Sequence, residues 1–187
     1  IIAMNSLFWK TKLNVFLERT LGHRITRVDP SERAFREDLK AFVIKQEHLV
    51  SGEVLDIGTG TWMWTKEYFG PKCHLTLFDA QKYPHIDIVG SVMELGKSLQ
   101  GKQFDTILCF ETLEHVKNPF LAVTEIYRAL KPGGHLFAST PFRHELHGES
   151  YGDYWRITRQ GWRYLLEPFE EVTVQGLGHH ELFPHHY

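Results

Sequence analysis

Apolar residues follow two spacings that alternate along most of the chain. Short segments rich in apolar residues, either continuous or alternating with polar ones, predict strands at 53–57, 74–78, 86–89, 104–110, 135–140 and 171–175. Apolar residues three and four positions apart predict helices at 31–50, 62–69, 118–130 and 159–167, preceded by one at 6–21. Strands that alternate with helices indicate a mostly parallel sheet with helices on both faces, a Rossmann-like α/β fold in a single domain.

The same patterns divide the chain into three parts. Residues 1–50 form an N-terminal helical cover, residues 51–177 form the sheet domain, and residues 178–187 form a histidine-rich tail. We interpret 6–21 as a helix that covers the domain rather than one that binds a membrane or a partner. The tail contains four histidines, and we interpret it as a loosely ordered end rather than a metal site.

Composition excludes several classes of protein. The formal net charge is −2, which argues against a domain built around a strong basic field for nucleic acid. No apolar stretch approaches the roughly 18 residues of a membrane span, and the N-terminus lacks the pattern of a signal peptide. The two cysteines imply no disulfide framework, so we expect a reducing, cytoplasmic environment.

A glycine-rich turn follows the first predicted strand. Parallel sheets bind ligands at the carboxyl ends of their strands, and Gly58 and Gly60 would let a ligand approach the backbone there. A dinucleotide fingerprint needs a third glycine three residues after Gly60, where Met63 stands. The carboxylate of Asp56 beside the turn suits a positively charged ligand, such as an amino acid joined to a nucleoside. A tight turn without a ligand is the alternative.

A second carboxylate closes the second predicted strand. Asp79 follows Gly58 by 21 residues, and an acid at this strand end can accept hydrogen bonds from both hydroxyls of a ribose. The alternative is a solvated loop aspartate.

Four segments together resemble one family. They are VLDIGTGT at 54–61, LFDA at 77–80, FDTILCFETLEHV at 104–116 and ALKPGG at 129–134. In this order they are similar to the motifs of class I S-adenosylmethionine-dependent methyltransferases, and the resemblance covers residues 50–176. The segment GDYWRIT at 152–158 resembles a small-molecule, type 11-like subgroup. The resemblance implies S-adenosylmethionine as cofactor and a methyl acceptor as substrate.

The resemblance also implies which residues contact the cofactor. They are Asp56, Gly58, Gly60, Asp79, Ser91, Val92 and Glu111. Two positions depart from the family pattern: Trp62 stands where a third glycine is frequent, and Ser91 stands where an aspartate usually lies near the adenine. The family's last strand is not evident after Gln175, so we expect the sheet to lack it.

Methyl transfer from a sulfonium needs alignment and exclusion of water, and it needs a base only for a weakly acidic acceptor. His115 and His147 are the candidate bases, because they follow the fourth and fifth strands, and His144 lies near His147 in sequence. We expect O- or N-methylation of a small molecule. The alternatives are a module that keeps the fold without catalysis, and a nucleic-acid methyltransferase, which the acidic balance disfavours.

One metal hypothesis stays open, although no metal is assigned. Glu111, Glu114 and His115 are spaced i, i+3, i+4, so one helical turn would gather them, with His144 or His147 as a further ligand. The spacing resembles the ExxEH element of small-RNA 2′-O-methyltransferases and ubiquinone-pathway O-methyltransferases. Alternatively, Glu114 and His115 tie the loop to the helix that begins at Asn118.

Overall fold

The computed structural model describes residues 30–142, 144–148 and 151–177. Within these residues, five parallel strands form one sheet: β1 Glu53–Ile57, β2 His74–Asp79, β3 Ile88–Val89, β4 Phe104–Phe110 and β5 Leu130–Ser139. Their order in the sheet is β3-β2-β1-β4-β5. The helices are α1 Pro30–Ile44, α2 Trp64–Phe69, α3 Leu95–Leu99, α4 Pro119–Ala129 and α5 Arg159–Leu165. The predicted helix 6–21 and the tail 178–187 lie outside the described residues.

The central strands are buried because helices cover both faces of the sheet. Consecutive residues of β1 point to opposite faces, so Val54 packs with α1 and α2 while Leu55 packs with α3 and α4. Leu108 and Ile107 of β4 divide in the same way, and all four side chains are fully buried. This explains why the sequence of β4 is a continuous apolar run, and it confirms the predicted α/β fold.

Several predicted boundaries differ from the structure. α1 ends at Ile44, and a short 3₁₀ turn at Glu47–Leu49 occupies part of the segment predicted as helix. β5 begins at Leu130, directly after α4, so it includes Gly133 and Gly134, which were expected to precede the strand. At this place the pairing with β4 is irregular, between Phe104 and Thr106.

The strand predicted at 171–175 is wrong. The segment is described, but it forms neither a helix nor a strand. A strand requires a ladder partner, and no described segment pairs with the outer side of β5. β5 is therefore an edge of the described sheet.

The strand order reverses between β1 and β4. Both β1–β2 and β1–β4 pairs are parallel, so the loops that follow β1, β2 and β4 emerge at one edge. Open α/β sheets bind ligands at this point. Within the described residues, no helix is long and apolar enough to cross a membrane.

Candidate functional site

The two glycines of the turn after β1 have different roles. Both have left-handed backbone, with φ of 76° at Gly58 and 54° at Gly60. A Cβ at Gly58 would overlap the side chain of Thr112, whose hydroxyl lies 3.2 Å from the carbonyl oxygen of Ile57. A Cβ at Gly60 would meet nothing closer than 3.9 Å. Packing against β4 thus explains Gly58, whereas Gly60 faces open space where a ligand can approach.

Asp79 and the loop after β2 hold Gly60 in place. The carboxylate of Asp79 accepts hydrogen bonds from the Gly60 amide at 2.9 Å and from the Gln81 amide at 2.7 Å. On the other side, Nε2 of His85 lies 2.7 Å from the Gly60 carbonyl oxygen. The sequence predicted Asp79 at this edge but missed His85, because nothing in its spacing signals a contact with a backbone oxygen 25 residues earlier.

Asp56 lies beneath the turn rather than at its surface. Its carboxylate is buried and accepts hydrogen bonds from the hydroxyls of Thr59 and Thr65. Burial raises the pKa of Asp56 to about 6, the two hydroxyls oppose this rise, and the charge of Asp79 adds to it. Asp56 braces the turn, and its predicted role in cofactor binding would be exerted through that bracing.

Trp62 packs against residues on the α1 side of the sheet. Its ring packs with Trp64 at 5.8 Å between centroids, and the guanidinium of Arg36 lies over it at 4.8 Å. The bulky residue at the third glycine position is therefore accommodated on the α1 side of the sheet.

The remaining predicted cofactor contacts lie after β3 and β4. The Ser91 hydroxyl accepts a hydrogen bond from the Met93 amide at 3.2 Å, and Val92 is part of the core. Glu111 directly follows β4 with a φ of 48°, and its carboxylate accepts a hydrogen bond from the Ser139 hydroxyl at 2.7 Å. A non-glycine residue held in left-handed backbone is a strained position, and such positions concentrate at functional sites.

A carboxyl group and two imidazoles meet after β4. Glu114 is fully buried, and neither of its carboxyl oxygens has a hydrogen-bond partner among the described residues. Its ligand atoms and those of His115 and His147 all lie within 4.8 Å of one another. Burial, reinforced by the charge of Glu111, raises the pKa of Glu114 to about 9, so its carboxyl is protonated at neutral pH.

The tautomer of His115 follows from one contact. Its Nδ1 lies 2.6 Å from the Gly152 carbonyl oxygen, which can only accept, so Nδ1 carries the hydrogen. Nε2 then holds the lone pair and lies 3.6 Å from Oε1 of Glu114. Burial lowers the pKa of His115, which favours this neutral form.

The loop after β5 brings His147 to this cluster. The Tyr154 amide donates to the Glu114 carbonyl oxygen at 2.7 Å, and the Trp155 indole donates to that of Val116 at 2.8 Å. Within the loop, Asp153 pairs with both terminal nitrogens of Arg156 and accepts from the His147 amide. The rings of His115 and His147 lie perpendicular at 4.8 Å between centroids, so the structure joins the two predicted bases.

The structure changes which residues belong to the candidate metal site. The expected single helical turn is wrong, because the left-handed backbone of Glu111 separates it from the 3₁₀ turn Leu113–His115. The structure groups Glu114 and His115 with His147, while Glu111 hydrogen-bonds Ser139. His144 is exposed, and its ring contacts that of His147.

Comparisons with known proteins identify the family of the chain. The family described as a methyltransferase domain matches residues 27–185. The chain belongs to this family. The resemblance to class I S-adenosylmethionine-dependent methyltransferases is thereby confirmed.

Two curated relatives are ubiquinone biosynthesis O-methyltransferases. The one from Dechloromonas aromatica is 33% identical over 106 residues, which cover 49% of this chain and 45% of the relative. The one from Vibrio atlanticus is 29% identical over 109 residues, covering 51% and 46%. The chain thus spans less than half the length of these relatives.

Solved structures support the fold. A methyltransferase from Bacillus halodurans has a TM-score of 0.57 at 20% identity, covering 71% of this chain and 68% of its own. The 1,6-didemethyltoxoflavin-N1-methyltransferase of Burkholderia thailandensis, solved with its acceptor and S-adenosylhomocysteine, has a TM-score of 0.58 at 19% identity, covering 90% and 80%.

Proposed function

We propose that this chain transfers a methyl group from S-adenosylmethionine to a hydroxyl of a small molecule. The observation that carries the proposal is the group of Glu114, His115 and His147. Its buried member, Glu114, lies two residues after Thr112, the residue that packs on the glycine turn. A cofactor site and a proton-accepting site thus share one edge of the sheet.

The turn after β1 and the acid after β2 would hold the cofactor. Gly60 offers an open backbone face, and Asp79 retains lone pairs for ribose hydroxyls beyond the two amides that it binds. Ser91 and Val92 lie at the end of β3, where the adenine would pack, and Glu111 lies at the end of β4. A cofactor held in this way would present its methyl group toward the loops after β4 and β5.

His115 would accept the proton of the acceptor hydroxyl. Its Nδ1 hydrogen is committed to Gly152, so Nε2 is the basic nitrogen, and its lowered pKa keeps it neutral at pH 7. His147 donates from Nδ1 to the carbonyl oxygen of Glu145, at 3.2 Å, which leaves its own Nε2 as a second acceptor.

A divalent cation is the alternative to this metal-free base, because it would occupy the same free nitrogens of His115 and His147. The orphaned oxygens of Glu114 and the two imidazole nitrogens form a donor set suited to a first-row metal, and a ligating histidine ordinarily donates its other N–H as His115 does to Gly152. Glu114, His115 and His147 would hold the ion. When bound, it would lower the pKa of the acceptor hydroxyl.

The acceptor class follows from relatives rather than from geometry. The curated relatives are named as O-methyltransferases, which favours oxygen over nitrogen. The net charge of −2 supports a small molecule over nucleic acid.

Titration calorimetry and an activity screen test the proposal. S-adenosylhomocysteine should bind, NAD should not, and a panel of catechols and phenols should yield a product whose mass increases by one methylene. Binding of NAD alone would contradict the cofactor assignment. Cofactor binding without methylation of any catechol or phenol in the panel would contradict the proposed transfer to a hydroxyl and would favour a non-catalytic module.

A further inference from the structure

The loop after β2 fixes Gly60 from both sides. Asp79 accepts from its amide at 2.9 Å, and Nε2 of His85 lies 2.7 Å from its carbonyl oxygen. These groups belong to the two peptide units that flank the Gly60 Cα, so together the contacts fix both of its backbone dihedrals. The φ of 54° at Gly60 is accessible to glycine at little cost but is not its only choice.

The His85 ring is itself held in position. It stacks on Tyr83 with centroids 5.6 Å apart and planes 13° apart, and the Tyr83 hydroxyl donates to Gln81 at 3.0 Å. Asp87 closes the loop against β2, because its carboxylate accepts from the Leu77 amide at 2.8 Å and its amide donates to the Leu77 carbonyl oxygen at 3.0 Å. The loop is therefore a braced arm that presents a hydrogen-bond donor to the glycine turn.

This arm acts on the part of the turn that is open to a ligand. A Cβ at Gly60 would contact only the carbonyl oxygen of Gly58 at 3.9 Å, whereas one at Gly58 would overlap Thr112. The carboxylate that binds the Gly60 amide is also the one placed to accept the ribose hydroxyls. A shift of Gly60 would therefore displace the Asp79 carboxylate from the orientation in which it binds both the Gly60 amide and the ribose hydroxyls.

We propose that His85 is a positioning residue for S-adenosylmethionine, which acts by holding the Gly60 carbonyl and so keeps Gly60 and Asp79 in the geometry that binds the nucleoside. The inference rests on the proposed placement of the cofactor at this turn. His85 takes no part in methyl transfer, so its loss weakens cofactor binding without slowing the bound complex.

Two substitutions separate the hydrogen bond from the ring stack. His85→Phe keeps an aromatic ring on Tyr83 but removes the donor, whereas His85→Gln keeps an N–H donor of similar reach but removes the ring. We expect His85→Phe to raise the Kd for S-adenosylhomocysteine and the KM for the cofactor about tenfold, with kcat within about twofold of wild type. His85→Gln should stay within about threefold of the wild-type Kd.

Thermal unfolding and Asp79→Ala complete the test. His85→Phe should unfold within about 2 °C of wild type, so that weakened binding reflects position rather than loss of fold. A wild-type Kd in His85→Phe, or an equal loss in both His85 variants, would overturn the inference while Asp79→Ala still weakened binding. If Asp79→Ala also bound the cofactor normally, the placement of the cofactor itself would be wrong.

Discussion

Nδ1 of His115 lies 2.6 Å from the carbonyl oxygen of Gly152, a residue 37 positions later on the loop that follows β5. The contact joins the two loops that flank the expected acceptor position, and it turns the lone pair of Nε2 toward Glu114. This hydrogen bond thus sets the tautomer of the candidate base and is one of the bonds that dock the second loop.

Loss of this imidazole should stop turnover. We expect His115→Ala to lower kcat by at least about 100-fold while the Kd for S-adenosylhomocysteine is unchanged, because the ring faces the acceptor side. In wild type, kcat should rise with pH through a value below 6.5, since burial lowers the pKa of His115. His144→Ala is the matched control, because that histidine is exposed, and it should retain wild-type kcat. A large kcat in His115→Ala would remove His115 from the mechanism.

Asp79→Ala should weaken cofactor binding. The ribose hydroxyls lose a charged acceptor and the Gly60 amide loses its partner, so we expect a loss of about 1–3 kcal/mol by calorimetry with S-adenosylhomocysteine. Glu94→Ala, an exposed acid on the same edge, should bind normally. Unchanged affinity in a folded Asp79→Ala protein would show that the ribose lies elsewhere.

Substitutions at Gly58 and Gly133 can separate the cost of backbone strain from the cost of steric overlap. Their φ values are 76° and 75°, but a Cβ at Gly133 would meet nothing within 4 Å, whereas one at Gly58 would overlap Thr112. Both alanine variants incur the left-handed backbone cost of about 1–3 kcal/mol. Gly58→Ala should lose more free energy of unfolding in urea than Gly133→Ala. In a Thr112→Ala background, which removes both the hydroxyl and the methyl group that a Cβ at Gly58 would overlap, the loss caused by Gly58→Ala should be smaller. Equal losses of free energy of unfolding in the two glycine variants would show that the Thr112 side chain moves aside without cost.

Asp56 should make stability depend on pH. Its folded pKa of about 6 lies above the ordinary 3.8, so the folded state binds more protons than the unfolded state between these values. Its contribution is therefore most favourable below pH 4 and is lost as pH rises through about 6, by at most about 3 kcal/mol. Asp56→Asn lacks this titration, so its free energy of unfolding relative to wild type should increase from pH 4 to pH 7. A constant difference across that range would contradict the raised pKa.

The sequence predicted which residues lie at the carboxyl edge of the sheet because the signals for that edge are local. The apolar run of β4 forces burial on both faces, and an acid that ends a buried strand, such as Asp79, must lie at the carboxyl edge of the sheet. The alternating pattern at 171–175 led to a wrong prediction because a strand also needs a neighbouring strand to pair with, and periodicity does not show whether one is present. The helical spacing of Glu111 and Glu114 failed because the backbone at Glu111 is left-handed.

The spacing of residues in the sequence could not predict contacts between loops that are distant along the chain. His147 meets His115 because four backbone and side-chain bonds dock the loop at 144–156 on the turn at 113–116, and His85 meets a carbonyl oxygen of the first turn. These contacts depend on how two loops pack after the sheet has formed. The sequence alone showed only that histidines lie near the ends of predicted strands.

A divalent cation at Glu114, His115 and His147 is the boldest prediction. Without metal, burial keeps the carboxyl of Glu114 protonated at pH 7, because its pKa is about 9. An ion that binds its oxygens must displace that proton, so Mn²⁺ titrated at pH 7 should release about one proton. Calorimetry in two buffers of different ionisation enthalpy measures the release directly. Glu114→Gln preserves the size of the side chain but has no proton to lose, and it should abolish both Mn²⁺ binding and the release.

Activity assays then decide what the ion does. If the cation supplies the chemistry, a chelator should abolish turnover, and Mg²⁺ or Mn²⁺ should restore it. S-adenosylhomocysteine should bind equally well throughout, because the proposed cofactor residues Gly60 and Asp79 are not among the three ligands. Full activity in a chelator, together with no Mn²⁺ binding by wild type, would refute the metal. The protonated Glu114 would then be a neutral neighbour of a metal-free base, and the pH dependence of kcat would report His115 alone.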